Sequence, residues 1–304
     1  MDKINAVLKR EREFAVFPIV GADHCAKLLN INFSEIATDG KKLAMVLEHG
    51  YQFYQYDMVL VFSDPYVEAQ ALGCQIEFTP YPTLVTAKTS KRFDRTSVII
   101  EAAKILKKKL NIPIFVSIKG PFSLASFLVG IDKFLRILLR EEKQVKQAID
   151  EALEFQLKYL EQILSLNVNI FLGDPVASAS VISPNTFQKY AYEPLSILIN
   201  KIKDKGLIAG IHICGETKPL LNLLDSLNAD ILSIEDIRPS TKTLKMGGVS
   251  TQTILYGTHT KIKAEVQKAL ERAPIIIATS CDVPPETNPE NIKEMIKYAQ
   301  QKNL

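Results

Sequence analysis

Three residues far apart in the chain have side chains that together could hold a metal ion. His212 and Cys214 stand one residue apart in "GIHICG", and Cys281 stands in "TSCDVP". Two cysteines and one histidine make a three-ligand zinc set with one tetrahedral position left open, the pattern of a catalytic site. Structural zinc closes all four positions and commonly uses CxxC knuckles, which this chain lacks. Several carboxylates accompany the three. Glu235 and Asp236 follow "ILSI", and Glu235 is a candidate fourth ligand or a group that orients the ligand histidine; the plainer alternative is a cap on the next helix. Asp64 and Asp174 are candidate general acid–base groups or supports of the site, Asp174 also fitting a turn before Pro175. His24 follows an apolar run and is a candidate for the same rim, whereas His49 and His259 read as ordinary residues and Cys25 and Cys74 as packing residues.

These residues need a scaffold, and the apolar pattern supplies one. Short β-rich runs occupy residues 15–20, 58–63, 112–118, 168–174, 207–214, 229–236, 246–251 and 274–282. Most are continuously apolar, as parallel strands buried on both faces are. Between them lie stretches with a 3.6-residue rhythm. "KKLAMVLEHGYQFYQY" puts Leu43, Val46, Leu47, Tyr51 and Tyr54 on one stripe, and "EEKQVKQAIDEALEFQLKYLEQILSL" is a long amphipathic helix. A further helix is expected from Ser183 as N-cap and Pro184 at the first helical position to Gly206 just past its end. Eight strands alternating with helices predict an α/β fold, a (β/α)8 TIM barrel, with a doubly wound sheet as runner-up; no GxGxxG or P-loop follows any strand, which disfavours the nucleotide-binding forms of the latter. In such a barrel chemistry sits at the C-terminal strand ends. Strand 2 is expected to end at Ser63 and Asp64, strand 4 at Asp174, strand 5 at His212 and Cys214, strand 6 at Glu235 and Asp236, and strand 8 at Cys281 and Asp282.

Composition bounds the function. With 47% hydrophobic residues in 304, the chain can build a large core, and the expectation is one domain over 1–304 with residues 1–14 as a helix packed outside the barrel. A net charge of +3, from 37 basic and 34 acidic residues, is too balanced to indicate nucleic acid as partner. No apolar run reaches the roughly 18 residues of a membrane span, and "MDKINAVLKREREF" has no signal-peptide core, so a soluble, cytoplasmic protein is expected. The four scattered cysteines do not form a disulfide framework.

"HICG" at 212–215 and "SCDVPPETNPENIKEMIKYA" from 280 resemble the zinc-dependent corrinoid methyltransferase branch of the uroporphyrinogen decarboxylase family. Further stretches agree in order: "FPIVGADHCAKL", "FSDPYVEAQALG", "KGPFSLASFLVG", "GDPVASASVISPNTFQKY" and "GGVSTQTILYGT". The resemblance implies a barrel that binds one Zn2+ through His212, Cys214 and Cys281. It implies that the zinc activates a small, coenzyme M-like thiol as a thiolate, which takes a methyl group from a methylcorrinoid carried by a separate corrinoid protein. The branch also holds enzymes that pass methyl from a methoxy or methylamine substrate to Co(I) corrinoid, which is the alternative. Uroporphyrinogen decarboxylation itself fits less well. Asp64 matches the aspartate that decarboxylases use, but "VGADHCAKL" has no arginine, and Arg10 and Arg12 lie upstream of the first strand. One departure from the methyltransferase pattern is "GG" at Gly247–Gly248, where a "GN" is usual.

Overall fold

The computed structural model describes residues 2–79 and 81–301. Its frame is β1 (Phe14–Phe17), β2 (Val59–Val61), β3 (Ile114–Lys119), β4 (Asn169–Gly173), β5 (Ala209–His212), β6 (Ile231–Ser233), β7 (Leu244–Val249) and β8 (Ile275–Thr279). They form one parallel sheet in the order β1–β8–β7–β6–β5–β4–β3–β2, with helices between successive strands except β6 and β7, which a loop joins. This is the α/β (β/α)8 barrel that the alternating pattern predicts. Two further short strands, Gln75–Glu77 and Thr83–Thr86, pair antiparallel outside the barrel; nothing in the apolar pattern marks them. No helix of the described residues is long and apolar enough to cross a membrane.

Strands β1 and β2 stand at the two ends of the hydrogen-bonded order, and one aspartate joins them. The backbone N–H of Asp57 donates to the Val16 carbonyl at 2.9 Å. Its carboxylate accepts from the Val16 N–H at 2.7 Å. The other carboxylate oxygen takes the Lys3 ammonium at 2.6 Å. A side chain thus completes the ring where a ladder bond would otherwise stand.

Several elements are shorter than their apolar runs. The run 207–214 yields only Ala209–His212, 229–236 only Ile231–Ser233, and 274–282 only Ile275–Thr279. The chain stays buried one residue beyond each strand, at Ile213, Ile234 and Ser280, whose N–H groups still bond the neighbouring strand. The N-terminal helix covers Lys3–Leu8, not 1–14, because Phe14 is already in β1; Ile4 and Val7 bury it against the barrel. The helix expected from Ser183 is two, Pro184–Tyr190 and Tyr192–Lys203. Pro194 explains the break, since a proline ring clashes with the carbonyl four residues earlier, here that of Tyr190, the last residue of the first helix. The Ser183 hydroxyl does cap, accepting from the Thr186 N–H at 3.1 Å. His259 opens the helix His259–Leu270. Gly247 and Gly248 lie inside β7, at φ +149° and +114°. A Cβ at Gly248 would stand 2.6 Å from that of Ala269, so an asparagine there has no room.

Candidate metal centre

Inward-facing residues of adjacent strands meet in register at the top of the barrel. Lys119 of β3 pairs with Gly173 of β4, Gly173 with His212 of β5, His212 with Ser233 of β6, and Ser233 with Met246 of β7. All five line a cavity of about 260 Å³, with Ser117 and Phe171 one layer below. Leu60, Phe62, Val67, Ile99 and Tyr159 make most of its far wall apolar.

At one side of this cavity His212, Cys214 and Cys281 converge, their ligand atoms all within 4.8 Å of one another. Cys214 lies two residues past the end of β5, and Cys281 two past the end of β8. Cys214 Sγ and Cys281 Sγ are 3.6 Å apart, and Cys281 Sγ is 3.7 Å from His212 Nε2. Zinc–sulfur bonds of about 2.3 Å and a zinc–nitrogen bond of about 2.0 Å at the tetrahedral angle require edges of about 3.8 Å and 3.5 Å. Two edges of the triangle therefore already match a zinc site. The third, His212 Nε2 to Cys214 Sγ, is 2.9 Å, a hydrogen-bond distance that a bound ion would open. His212 Nδ1 lies 3.0 Å from the Ser233 hydroxyl. That contact leaves Nε2 aimed at the two sulfurs, which is how metal-ligating imidazoles are held. Cys214, donating to Cys281 and partly desolvated, keeps its proton far above the ordinary thiol range. Cys281, accepting from Cys214 and facing His212, is pulled well below it and is the readier thiolate.

The carboxylates are placed otherwise. Glu235 lies outside the three-residue cluster; its Oε1 accepts from the Gly215 N–H at 2.6 Å and so steadies the turn that follows Cys214. Gly215 has φ +70°, and a Cβ there would meet Ser180 Oγ at 2.6 Å. Asp236 forms an exposed pair with Arg238. Asp64 lines the cavity, but both of its oxygens are engaged. Arg95 donates to them at 2.6 Å and 3.1 Å, the Ser63 hydroxyl donates at 2.8 Å, and the Tyr66 N–H at 3.0 Å. Arg95 is 1% exposed, and its guanidinium also bonds Gln70 and lies 4.9 Å from the centre of the Phe78 ring. His24 is buried away from the cavity, its Nε2 2.7 Å from the Tyr54 hydroxyl, and burial lowers its pKa to about 4. Asp282 borders the cavity beside Cys281, with Oδ1 buried and unpartnered; burial and then Asp23 push its carboxyl well above the usual range.

Asp174 is fully buried just past β4. Its Oδ1 accepts from the Ser123 N–H at 2.7 Å, near the start of the helix Pro121–Val129, and its Oδ2 has no partner. Burial raises its pKa from 3.8 to about 6. The folded state therefore binds more protons than the unfolded chain between these values, and stability falls as pH rises through that window. Asp174→Asn keeps an acceptor for Ser123 and removes the charge. Its advantage over the unmodified protein is expected to grow from pH 4 to pH 7, by at most about 3 kcal/mol. Melting temperatures of both proteins at the two pH values test this; an equal difference at both would refute it.

Arg95, Ser233 and Lys119 carry no sequence motif that marks them. The nearest signal is a lysine ending the apolar strand "IPIFVSIK".

The uroporphyrinogen decarboxylase family model matches residues 19–302. A methylcobamide:CoM methyltransferase of Methanosarcina barkeri is 28% identical over 259 residues, 76% of this chain and 75% of that protein. A second, from Methanosarcina mazei, is 25% identical over 291 residues, covering 87% of this chain and 86% of the relative. The uroporphyrinogen decarboxylase of Thermodesulfovibrio yellowstonii is 25% identical over 239 residues, 70% of this chain and 69% of that one. Among solved structures, a methyltransferase from Methanosarcina mazei superposes with a TM-score of 0.88 at 25% identity, over 98% of this chain and 97% of the other. The chain belongs to the uroporphyrinogen decarboxylase family.

Proposed function

We propose that this protein is a zinc-dependent methyltransferase that moves a methyl group from a methylcorrinoid, carried by a partner protein, to a small thiol. The observation that carries the reading is the convergence of His212 Nε2, Cys214 Sγ and Cys281 Sγ on the wall of an apolar cavity, with two of their three edges near those of a tetrahedral zinc site. A zinc ion bound by these residues supplies the Lewis acidity that keeps a substrate thiol deprotonated near neutral pH, where a free thiol with a pKa of about 8.5 is mostly protonated. Cys214 and Cys281 as cysteinates with His212 as neutral imidazole would give such a site no net charge, which would preserve the nucleophilicity of an incoming sulfur. The chain's own residues do the rest. Ser233 holds the imidazole, Glu235 holds the turn bearing Cys214, and Phe171, Leu60 and Val67 keep water from the sulfur. As the sulfur–carbon bond forms, the cobalt–carbon bond breaks and its electron pair stays with cobalt.

The methylcobamide-using relatives support this direction of transfer. Decarboxylation is the weaker reading, because Asp64 is bound on both oxygens by Arg95, Ser63 and the Tyr66 N–H. We place the protein in the cytoplasm, where its four free cysteines stay reduced. The test uses purified protein, free methylcobalamin and a panel of thiols. Bound zinc is expected at about one per chain, with methyl thioether formed as methylcobalamin is consumed. Chelator-stripped protein that works at the full rate would refute the reading.

A further inference from the structure

The barrel has a second large cavity, at the end away from the metal centre. About 620 Å³ opens where β5 to β8 begin, bordered by Ile208, Ala229, Leu244 and Pro274 and by Val7 and Leu8 of the N-terminal helix. Its charge is one-sided. Arg10, Lys203, Lys242, Lys245 and Arg272 line it, against one carboxylate among the described residues, Asp230. That carboxylate is already engaged. Its Oδ1 takes Lys203 Nζ at 3.1 Å, and its Oδ2 accepts from the Ala209 N–H at 2.9 Å. Asp225, close by, accepts from the backbone N–H groups of Lys242 and Thr243 at 3.0 Å and 3.1 Å. The other four cations form no ion pair among the described residues.

Two of the four are built into the fold. Where β6 passes to β7 without a helix, Lys245 points outward under the joining loop, because its neighbour Met246 points into the barrel. The Lys245 ammonium donates to the Ile237 and Pro239 carbonyls at 2.7 Å and 2.9 Å. Arg272 donates to the carbonyl between them, that of Arg238, at 3.4 Å. Three successive carbonyls thus hold two like charges side by side, and Lys245 is only 9% exposed. Burial, and then the charge of Arg272, lower the Lys245 pKa. A buried cation without a counter-ion is costly, and an anion seated between the two would relieve both burial and repulsion. Donors remain for it. An ammonium has three N–H groups and Lys245 uses two; a guanidinium has five and Arg272 uses one.

We propose that this cavity binds a small polyanion through linked phosphate groups, Lys245 and Arg272 forming the inner contact and the exposed Arg10 and Lys242 the outer ones. Four unpaired cations suit about two or three phosphates, and guanidinium forks match phosphate oxygens in pairs. The volume admits such a chain alone or with a nucleoside attached. The site shares no residue with the metal centre, so it would act on the enzyme from the opposite end of the barrel.

The test is calorimetric titration of the purified chain in phosphate-free buffer with tripolyphosphate, ATP, orthophosphate and adenosine. Tripolyphosphate and ATP are expected to bind at about one site per chain, orthophosphate at least about tenfold more weakly, and adenosine not at all. Equal affinity for tripolyphosphate and ATP would identify the phosphate chain as the whole ligand, and tighter binding of ATP a nucleotide; either result supports the inference. Arg10→Gln and Arg272→Gln should each weaken tripolyphosphate at least about tenfold. The Arg10 guanidinium makes no hydrogen bond among the described residues, so its variant tests the site even where Lys245→Met fails to fold. Phosphate chains also chelate zinc, and Cys214→Ala, which should bind tripolyphosphate as the unmodified protein does, separates the two effects. A tripolyphosphate Kd weaker than about 1 mM overturns the inference. Unchanged affinity in both arginine variants also overturns it, as does loss of binding in Cys214→Ala, which would place the phosphates at the metal centre.

Discussion

Cys214→Ala and Cys281→Ala proteins are expected to purify with little or no zinc and to lose methyl transfer to thiols by at least about 100-fold. Removing even an outer partner of a ligand costs metal sites about 10- to 100-fold, and each cysteine is one of only three donors. The two sulfurs sit 3.6 Å apart, so either substitution leaves an imidazole and one thiol, too few to hold a site meant to keep a position open. Elemental analysis and the methylcobalamin assay on the same preparations check this, together with zinc re-addition. Stripped native protein should recover with added zinc, and the variants should not. The substitutions are small and half-buried, so the fold should persist, as a circular dichroism spectrum would show. Full activity in either variant would remove the metal centre from the mechanism.

The second large effect concerns stability. Arg95→Met is expected to destabilise the protein by about 3–5 kcal/mol, because it leaves the Asp64 carboxylate in the interior without its counter-ion. The pair is fully desolvated, and the guanidinium also serves Gln70 and the Ala37 carbonyl. Arg95→Lys should recover only part, because an ammonium cannot reproduce the fork that reaches both Asp64 oxygens. The double variant Asp64→Asn/Arg95→Met should be more stable than Arg95→Met alone, since it no longer buries an unpaired charge. Denaturant midpoints of the three variants and of the unmodified protein measure this. A loss below about 1 kcal/mol in Arg95→Met would mean that water reaches Asp64.

The barrel was legible because parallel strands buried on both faces leave continuous apolar runs, and each of the eight runs overlaps a barrel strand. The metal candidates were legible because a His-x-Cys at one strand end and a cysteine at another needed only the barrel to bring them together. What the pattern hid is governed by loops and by absence. Arg95 follows a hairpin that no periodicity marks, and its reach to Asp64 depends on how the chain returns after the short helix Val67–Ala71 and that hairpin. Glu235 was readable as a rim carboxylate, but whether it met the metal candidates or the backbone of Gly215 turned on one loop's course. Lys119 is one of 37 basic residues, and its place on the cavity wall, paired with a glycine on β4, is a relation that exists only in the sheet register.

The aspartate at the barrel seam bears on how such a chain assembles. Strand β1 is made first, yet its ladder partner is β8, made last; Ile19 and Thr279, which touch beside that ladder, are 260 residues apart. Asp57 offers Val16 a bond across only 41 residues. Loop closure over that shorter span is entropically cheaper, so the first strand has a docking point within the N-terminal fifth of the polypeptide while the ribosome is still producing the rest. The carboxylate that completes the finished ring is also, in the order of synthesis, the earliest long-range tether the nascent strand can find.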